Sequence, residues 1–179
     1  MKTIRFYFIT MLFFCNNMLS AQTTYQTWTE KYIDEEYVIK ASKYSYEITN
    51  RTYNHVMSNT TADYMFDGES ILDYRKRRTE LIEAISKIAN EVFHLNQIYT
   101  SRIYHVSVAC TFDSLTKDYA GGICLTFNKE IKEYITLQKV YLLEKKLLES
   151  GLNAGRTNVA DSSKKYFTME GSDSTNKKE

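Results

Sequence analysis

Few residues of this 179-residue chain have types suited to chemistry. They are three histidines, the cysteines Cys110 and Cys124, and one dense basic run. A cysteine thiolate with a histidine base is a nucleophile, but His55, His105 and Cys124 lie far apart in the chain. Only folding could assemble them into the site of a small enzyme or inhibitor. Read as structure, His55 and His105 lie in strands and His94 ends a helix. No H-E-x-x-H is present and neither cysteine has metal-ligand spacing to a second one, so no metal or cofactor is assigned. G-x-S-x-G, phosphate-loop, G-x-G-x-x-G and EF-hand patterns are absent too. No catalytic or cofactor-binding residue is therefore named. The run Arg75-Lys76-Arg77-Arg78 could meet phosphates or lipid headgroups. With Glu69, Asp73, Glu80 and Glu83 around it, it reads instead as a solvated first helical turn, although basic residues are disfavoured near a helix N-terminus.

The two cysteines sit in the stretch that organises the chain, Arg102 to Asn128. Tyr104, Val106, Val108, Cys110 and Phe112 share one parity, with His105, Ser107, Ala109 and Thr111 on the other. Ile123, Leu125 and Phe127 likewise alternate with Cys124, Thr126 and Asn128. Such alternation on both sides of a polar turn predicts an antiparallel hairpin with one buried face. Facing residues of a hairpin point to the same side. Cys110 then belongs to the apolar face and Cys124 to the polar one, which argues against a disulfide unless a bulge at Gly121-Gly122 shifts the register.

Around the hairpin, Ser70 with Asp73 predicts a capped helix whose stripe is Leu81, Ile82, Ile85, Ile88, Ala89, Val92 and Phe93. A second helix starts at the N-cap Thr136 with Ile135 and Val140 as a hydrophobic staple. It carries Val140, Leu143, Leu147 and Leu148 and ends at Gly151. Tyr44, Tyr46 and Ile48, then Tyr53, His55 and Met57, predict an earlier hairpin turning at Asn50-Arg51. The stretch 22–43 fits a short helix or a strand at Tyr37-Val38-Ile39. Asp67-Gly68 breaks the pattern. A short strand is expected at Tyr166–Met169 in an otherwise polar tail.

The N-terminus reads as an export signal. Lys2 and Arg5 precede the apolar run Phe6–Cys15, and Leu19-Ser20-Ala21 offers a cleavage site before Gln22. The run is too short to span a bilayer, and no later segment is apolar enough to do so. Removing 1–21 takes two basic residues and no acid from a chain of net charge +1. The near-neutral remainder lacks the basic excess of a nucleic-acid-binding protein. With no proline, turns rest on Gly, Asn, Asp and Ser. The 15 tyrosines suit half-buried strands and also stack on ligands, sugars included. Asn50-Arg-Thr52 and Asn59-Thr-Thr61 fit the N-glycosylation acceptor pattern.

The LSAQ end of the leader, the absence of proline and the Lys/Tyr/Asn-rich body resemble small exported proteins of Bacteroidetes, many from families of unknown function. That resemblance implies that Asp113-Ser114-Leu115 is an O-glycosylation acceptor. Residues 74–169, read as helix, hairpin VSVACTF…ICLTF, helix and short strand, are similar in order to the TonB C-terminal domain. The chain departs from that family in the turn Ser114-Leu115-Thr116-Lys117, which lacks glycine, and in a missing proline-containing entry, so no functional residue carries over.

Together these readings predict a signal peptide at 1–21, a single domain over 22–155, and a polar, largely disordered tail over 156–179. The fold class is α+β, an antiparallel sheet built from hairpins with two amphipathic helices packed on one face. The expected function is a non-catalytic binding or interaction module, exported to the periplasm, surface or exterior. Its partner is a protein or glycan of the envelope.

Overall fold

The computed structural model describes residues 24–61, 63–64, 69–155, 157–159 and 161–178. The expected signal peptide at 1–21 and the Asp67-Gly68 break lie outside them. The open question over 22–43 resolves as a hairpin of Gln26–Tyr32 (β1) and Glu35–Ala41 (β2), in unbroken register over its whole length. Ile33 takes φ 57° in the turn between them. Ser45–Asn50 (β3) pairs antiparallel with β2.

The expected second hairpin does not form. After Asn50 the chain enters a helix, Arg51–Val56 (α1), so Tyr53 and His55 are helical. The Asn50 side chain accepts from the Tyr53 N–H at 2.8 Å and caps this helix. An asparagine that can satisfy an orphan helix donor competes well with a turn that would force Arg51 to positive φ. A 3-10 turn at Met57–Asn59 leads to Thr60–Thr61 (β4) and Asp63–Tyr64 (β5).

Ile71–Phe93 (α2) begins as expected, with Ser70 Oγ accepting from the Asp73 N–H at 3.1 Å. It ends at His94 in the left-handed region. Leu81, Ile85, Ala89, Val92 and Phe93 are its buried stripe. Tyr99–Thr100 (β6) precedes the central hairpin, His105–Asp113 (β7) and Tyr119–Asn128 (β8). Val106 faces Phe127, Val108 faces Leu125, and Cys110 faces Ile123. Beyond Cys110 the strand bulges, because Phe112 faces Tyr119 and leaves Ala120–Gly122 against Thr111 alone. Gly121 supplies φ 84° there, and a Cβ on Gly122 would lie 2.4 Å from Thr111 Oγ1. The bulge begins past the cysteines, so Cys124 still faces Ala109. Both thiols are free, Cys110 buried and Cys124 half-buried, as parity requires.

Leu137–Glu149 (α3) is capped by Thr136, with Ile135 and Val140 both buried. Leu148, expected in its buried stripe, is 53% exposed, and Glu144 is buried instead. Asn158–Val159 (β9) pairs with β5, and Asn176–Lys177 (β11) pairs with β6.

The tail is corrected. Tyr166–Ser174 (β10) is a nine-residue strand lying antiparallel along β7. Its polar end escapes a hydrophobicity reading because Ser172 and Ser174 face Ser107 and His105 on the outer side. The main sheet runs β1-β2-β3-β8-β7-β10-β4, antiparallel except for β10 with β4. α2 lies over β10 and touches α3, which lies over β8, both on the apolar face. The fold is therefore α+β with two amphipathic helices on one face. α1 sits on the other face, where Tyr53 backs onto Gly122 and Asn54 onto Thr49.

Candidate functional site

Folding does not bring His105 to Cys124, as a catalytic site built on His55, His105 and Cys124 would need. His55 is exposed on the last turn of α1, and His105 is exposed at the start of β7. Cys124 faces Ala109, four residues along β7 from His105, a separation of about 13 Å at strand rise. Burial, opposed by hydrogen bonds to Thr126 and Tyr53, pushes the Cys124 thiol up to about 11. A thiol so placed is a poor nucleophile.

The basic run divides. Arg75 and Lys76 are exposed. Arg77 clamps Glu69 through two bonds of 3.1 Å, and Arg78 donates to the Tyr74 hydroxyl at 3.2 Å. Half of the run is therefore structural, fastening the α2 entry rather than waiting for phosphates.

Two of the acceptor motifs are also taken up by the fold. Asn50 is 3% exposed, and its Nδ2 donates to the Gly121 carbonyl at 2.7 Å. Its Oδ1 receives the Ile123 N–H as well as that of Tyr53, so Asn50 ties α1 to the bulge. Ser114 is 8% exposed, and its hydroxyl is buried. Neither side chain is open to a glycan in the folded chain. The Asp113 carboxylate accepts from the Thr116 and Leu115 N–H groups, which hold it below the usual carboxylate range.

Glu144 is the buried acid that helical periodicity alone would place in water. It is 6% exposed and takes the Tyr37 hydroxyl on Oε2 at 2.6 Å. Oε1 is buried without a partner, as is the Tyr119 hydroxyl. Burial dominates and raises this carboxyl to about 7, against the lowering effect of the Tyr37 hydroxyl and the nearby Asn50 amide. The group braces α3 against β2 from inside the core.

The concavity with binding character lies at the β1 end of the sheet, under the start of α3. It has a volume of about 240 Å³. Ile39, Ile48, Phe127 and Ile135 form its floor and reach the core. Trp28 and Tyr46 wall it, at 6.4 Å between ring centroids and 88° between planes. Tyr46 stacks in turn on Phe127 at 5.7 Å and 11°. Lys132 Nζ lies 4.9 Å from the Tyr46 ring centroid. Exposed Glu30, Lys132 and Glu133 rim the mouth, and Trp28 Nε1 donates to Glu30 at 2.6 Å. Apolar depth, aromatic walls and a charged rim are what small binding pockets are made of.

No sequence signal marked this cavity. Tyr46 and Phe127 were readable as inward-facing, but Trp28 joins them only through the β1–β2 register, where it faces Ile39. A second cavity, between Arg77, Leu81 and Ala154, is backed by the Arg77–Glu69 clamp. Among the described residues no three acidic, histidine or cysteine side chains cluster to hold a metal. No helix among them is long and apolar enough to cross a membrane.

No protein-family model matches the chain, and no curated protein sequence matches it. Among solved structures it is similar to a DUF5043 family protein from Bacteroides uniformis ATCC 8492. The TM-score is 0.48 at 11% identity, covering 86% of each chain.

Proposed function

We propose that the chain is an exported, non-catalytic interaction module of the cell envelope that seats part of its partner in the aromatic cavity beside β1. The cavity carries the reading: it is the concavity where aromatic surface, apolar depth and charge converge. Catalysis would need a poised nucleophile or an acid–base pair converging on a concavity. His55, His105 and Cys124 line neither the aromatic cavity nor the one beside Arg77. Export rests on the charged, apolar and small-residue sequence of the first 21 positions.

Trp28 is the one tryptophan of the chain, so its emission reports directly on the cavity. Fractionation of the producing cell, with N-terminal sequencing of the exported form, should find the chain outside the cytoplasm beginning at Gln22. Titration of that form with solubilised envelope proteins and with envelope oligosaccharides should shift Trp28 emission in at least one case. A cytoplasmic chain with an intact Met1 would refute export, and unchanged emission throughout would refute the cavity as the binding site.

A further inference from the structure

We infer that the partner is an extended peptide segment that adds to the free edge of β1 and inserts one apolar side chain into the aromatic cavity. The inference rests on the binding reading above and names its partner class. Two independent features meet at the same residues. The first is the edge itself. β1 ends the sheet, pairs over its full length with β2, and has no strand on its other side among the described residues. No bulge or proline interrupts it. The opposite edge is shielded differently, since β10 is covered by the two-residue β4. An unpaired row of backbone N–H and C=O groups is satisfied by one kind of ligand, another extended backbone.

The second feature is the cavity. Trp28 and Glu30, alternate residues of β1 on its inward-facing side, belong to its lining. A strand laid along β1 would direct alternate side chains toward the same side. One of them would reach past Trp28 toward Ile39 and Phe127. Backbone pairing with a pocket for an alternate side chain is how strand-adding modules combine affinity with specificity. The rim carries the carboxylates of Glu30 and Glu133 against the single ammonium of Lys132, so a basic residue near the anchor suits it.

A second copy of this chain is the competing occupant. In the symmetric antiparallel register centred on Thr29, Glu30 of the second copy would stand opposite Trp28. That pairing brings a carboxylate to an already acidic mouth and leaves the apolar floor unfilled.

The test is selection of a displayed random dodecapeptide library on the exported chain, followed by synthesis of the enriched peptides. Those peptides should carry an apolar or aromatic residue with β-branched and basic neighbours. Binding should shift Trp28 emission and slow hydrogen exchange of backbone amides within Gln26–Tyr32. Replacing the anchor by Asp, or N-methylating alternate peptide amides, should each weaken binding by about tenfold. Trp28→Ala should weaken it comparably, read from the hydrogen exchange of Gln26–Tyr32 because that variant carries no tryptophan. Failure to enrich any peptide overturns the inference, as does a peptide that leaves β1 exchange unaltered. Concentration-dependent dimerisation that protects β1 would assign the edge to a second copy. An oligosaccharide that moves Trp28 emission without protecting β1 would sink the strand while preserving the binding-module reading. Silence from both ligand classes would sink both.

Discussion

Glu144 concentrates the residue-scale consequences. Tyr37 and Glu35 from β2, Asn50 from the end of β3, Tyr119 from β8, and Lys145 from its own helix surround its carboxyl. Its folded value of about 7 stands above the ordinary 4.5. Between those two pH values the folded chain holds a proton that the unfolded chain has released. Its contribution to stability is therefore full below 4.5, falls as pH rises to 7, and is level above. Glu144→Gln keeps an acceptor for Tyr37 and removes the charge. At pH 8 it should stabilise the fold by on the order of 3 kcal/mol and flatten the slope between pH 4.5 and 7. Urea unfolding at pH 5 and pH 8 measures both, and a parent chain equally stable at the two would refute the assignment. Asn50 is the matching test of a donor. Asn50→Asp retains the oxygen that caps α1 but replaces the Nδ2 donor with a carboxylate oxygen facing the Gly121 carbonyl. It should cost about 2–3 kcal/mol, a loss that an uncharged cap alone would not explain. The thiols make a third residue-scale prediction. Without reductant, Cys110 should resist a thiol-reactive dye and Cys124 should react slowly, and both should titrate once the chain is denatured. A missing thiol on denaturation would mean a bridge that the register forbids.

Among the elements, β10 is the one whose removal should matter most. Phe167 and Met169 are buried under α2. Gly171 lets that helix approach so closely that a Cβ would lie 2.8 Å from the Ile82 carbonyl and 3.0 Å from Ile85. Gly171→Ala should destabilise by about 1–3 kcal/mol, seen as a lower urea midpoint with an unchanged slope. Here the limits of sequence reading have a physical cause. α2, α3 and the β7–β8 hairpin were legible because each buries a regular stripe and carries its own caps, so local pattern and global packing agree. The β3–α1 junction was misread because alternation at Tyr53, His55 and Met57 is also compatible with a short helix, and the decision lay with the bonds of Asn50 to Gly121 and Ile123. The outer half of β10 was hidden because its serines face solvent while its backbone is paired. Of the cavity, Tyr46 and Phe127 were visible as inward residues, but a site that needs Trp28 across two strands is a property of register.

At the scale of the whole molecule, the sheet is stitched from segments distant in the chain. β8 stands between β3 and β7, and β10 lies against β4 far upstream of it. Its middle strands therefore share one core with both helices. Unfolding should be a single cooperative transition, with Trp28 emission at the sheet edge and far-UV circular dichroism falling together. An earlier loss of emission would mean that the β1–β2 hairpin opens on its own. The arrangement also sets a clock. β7 gains its second neighbour only from Tyr166–Ser174, so a chain emerging N-terminus first from a ribosome or a narrow pore cannot close its sheet until Ser174 is through. Until that moment the apolar face of the central hairpin lacks the strand that carries Phe167 and Met169, and the growing chain stays loose enough to be threaded. Arrival of Tyr166–Ser174, rather than any early nucleus, would then be the event that commits this protein to its folded form.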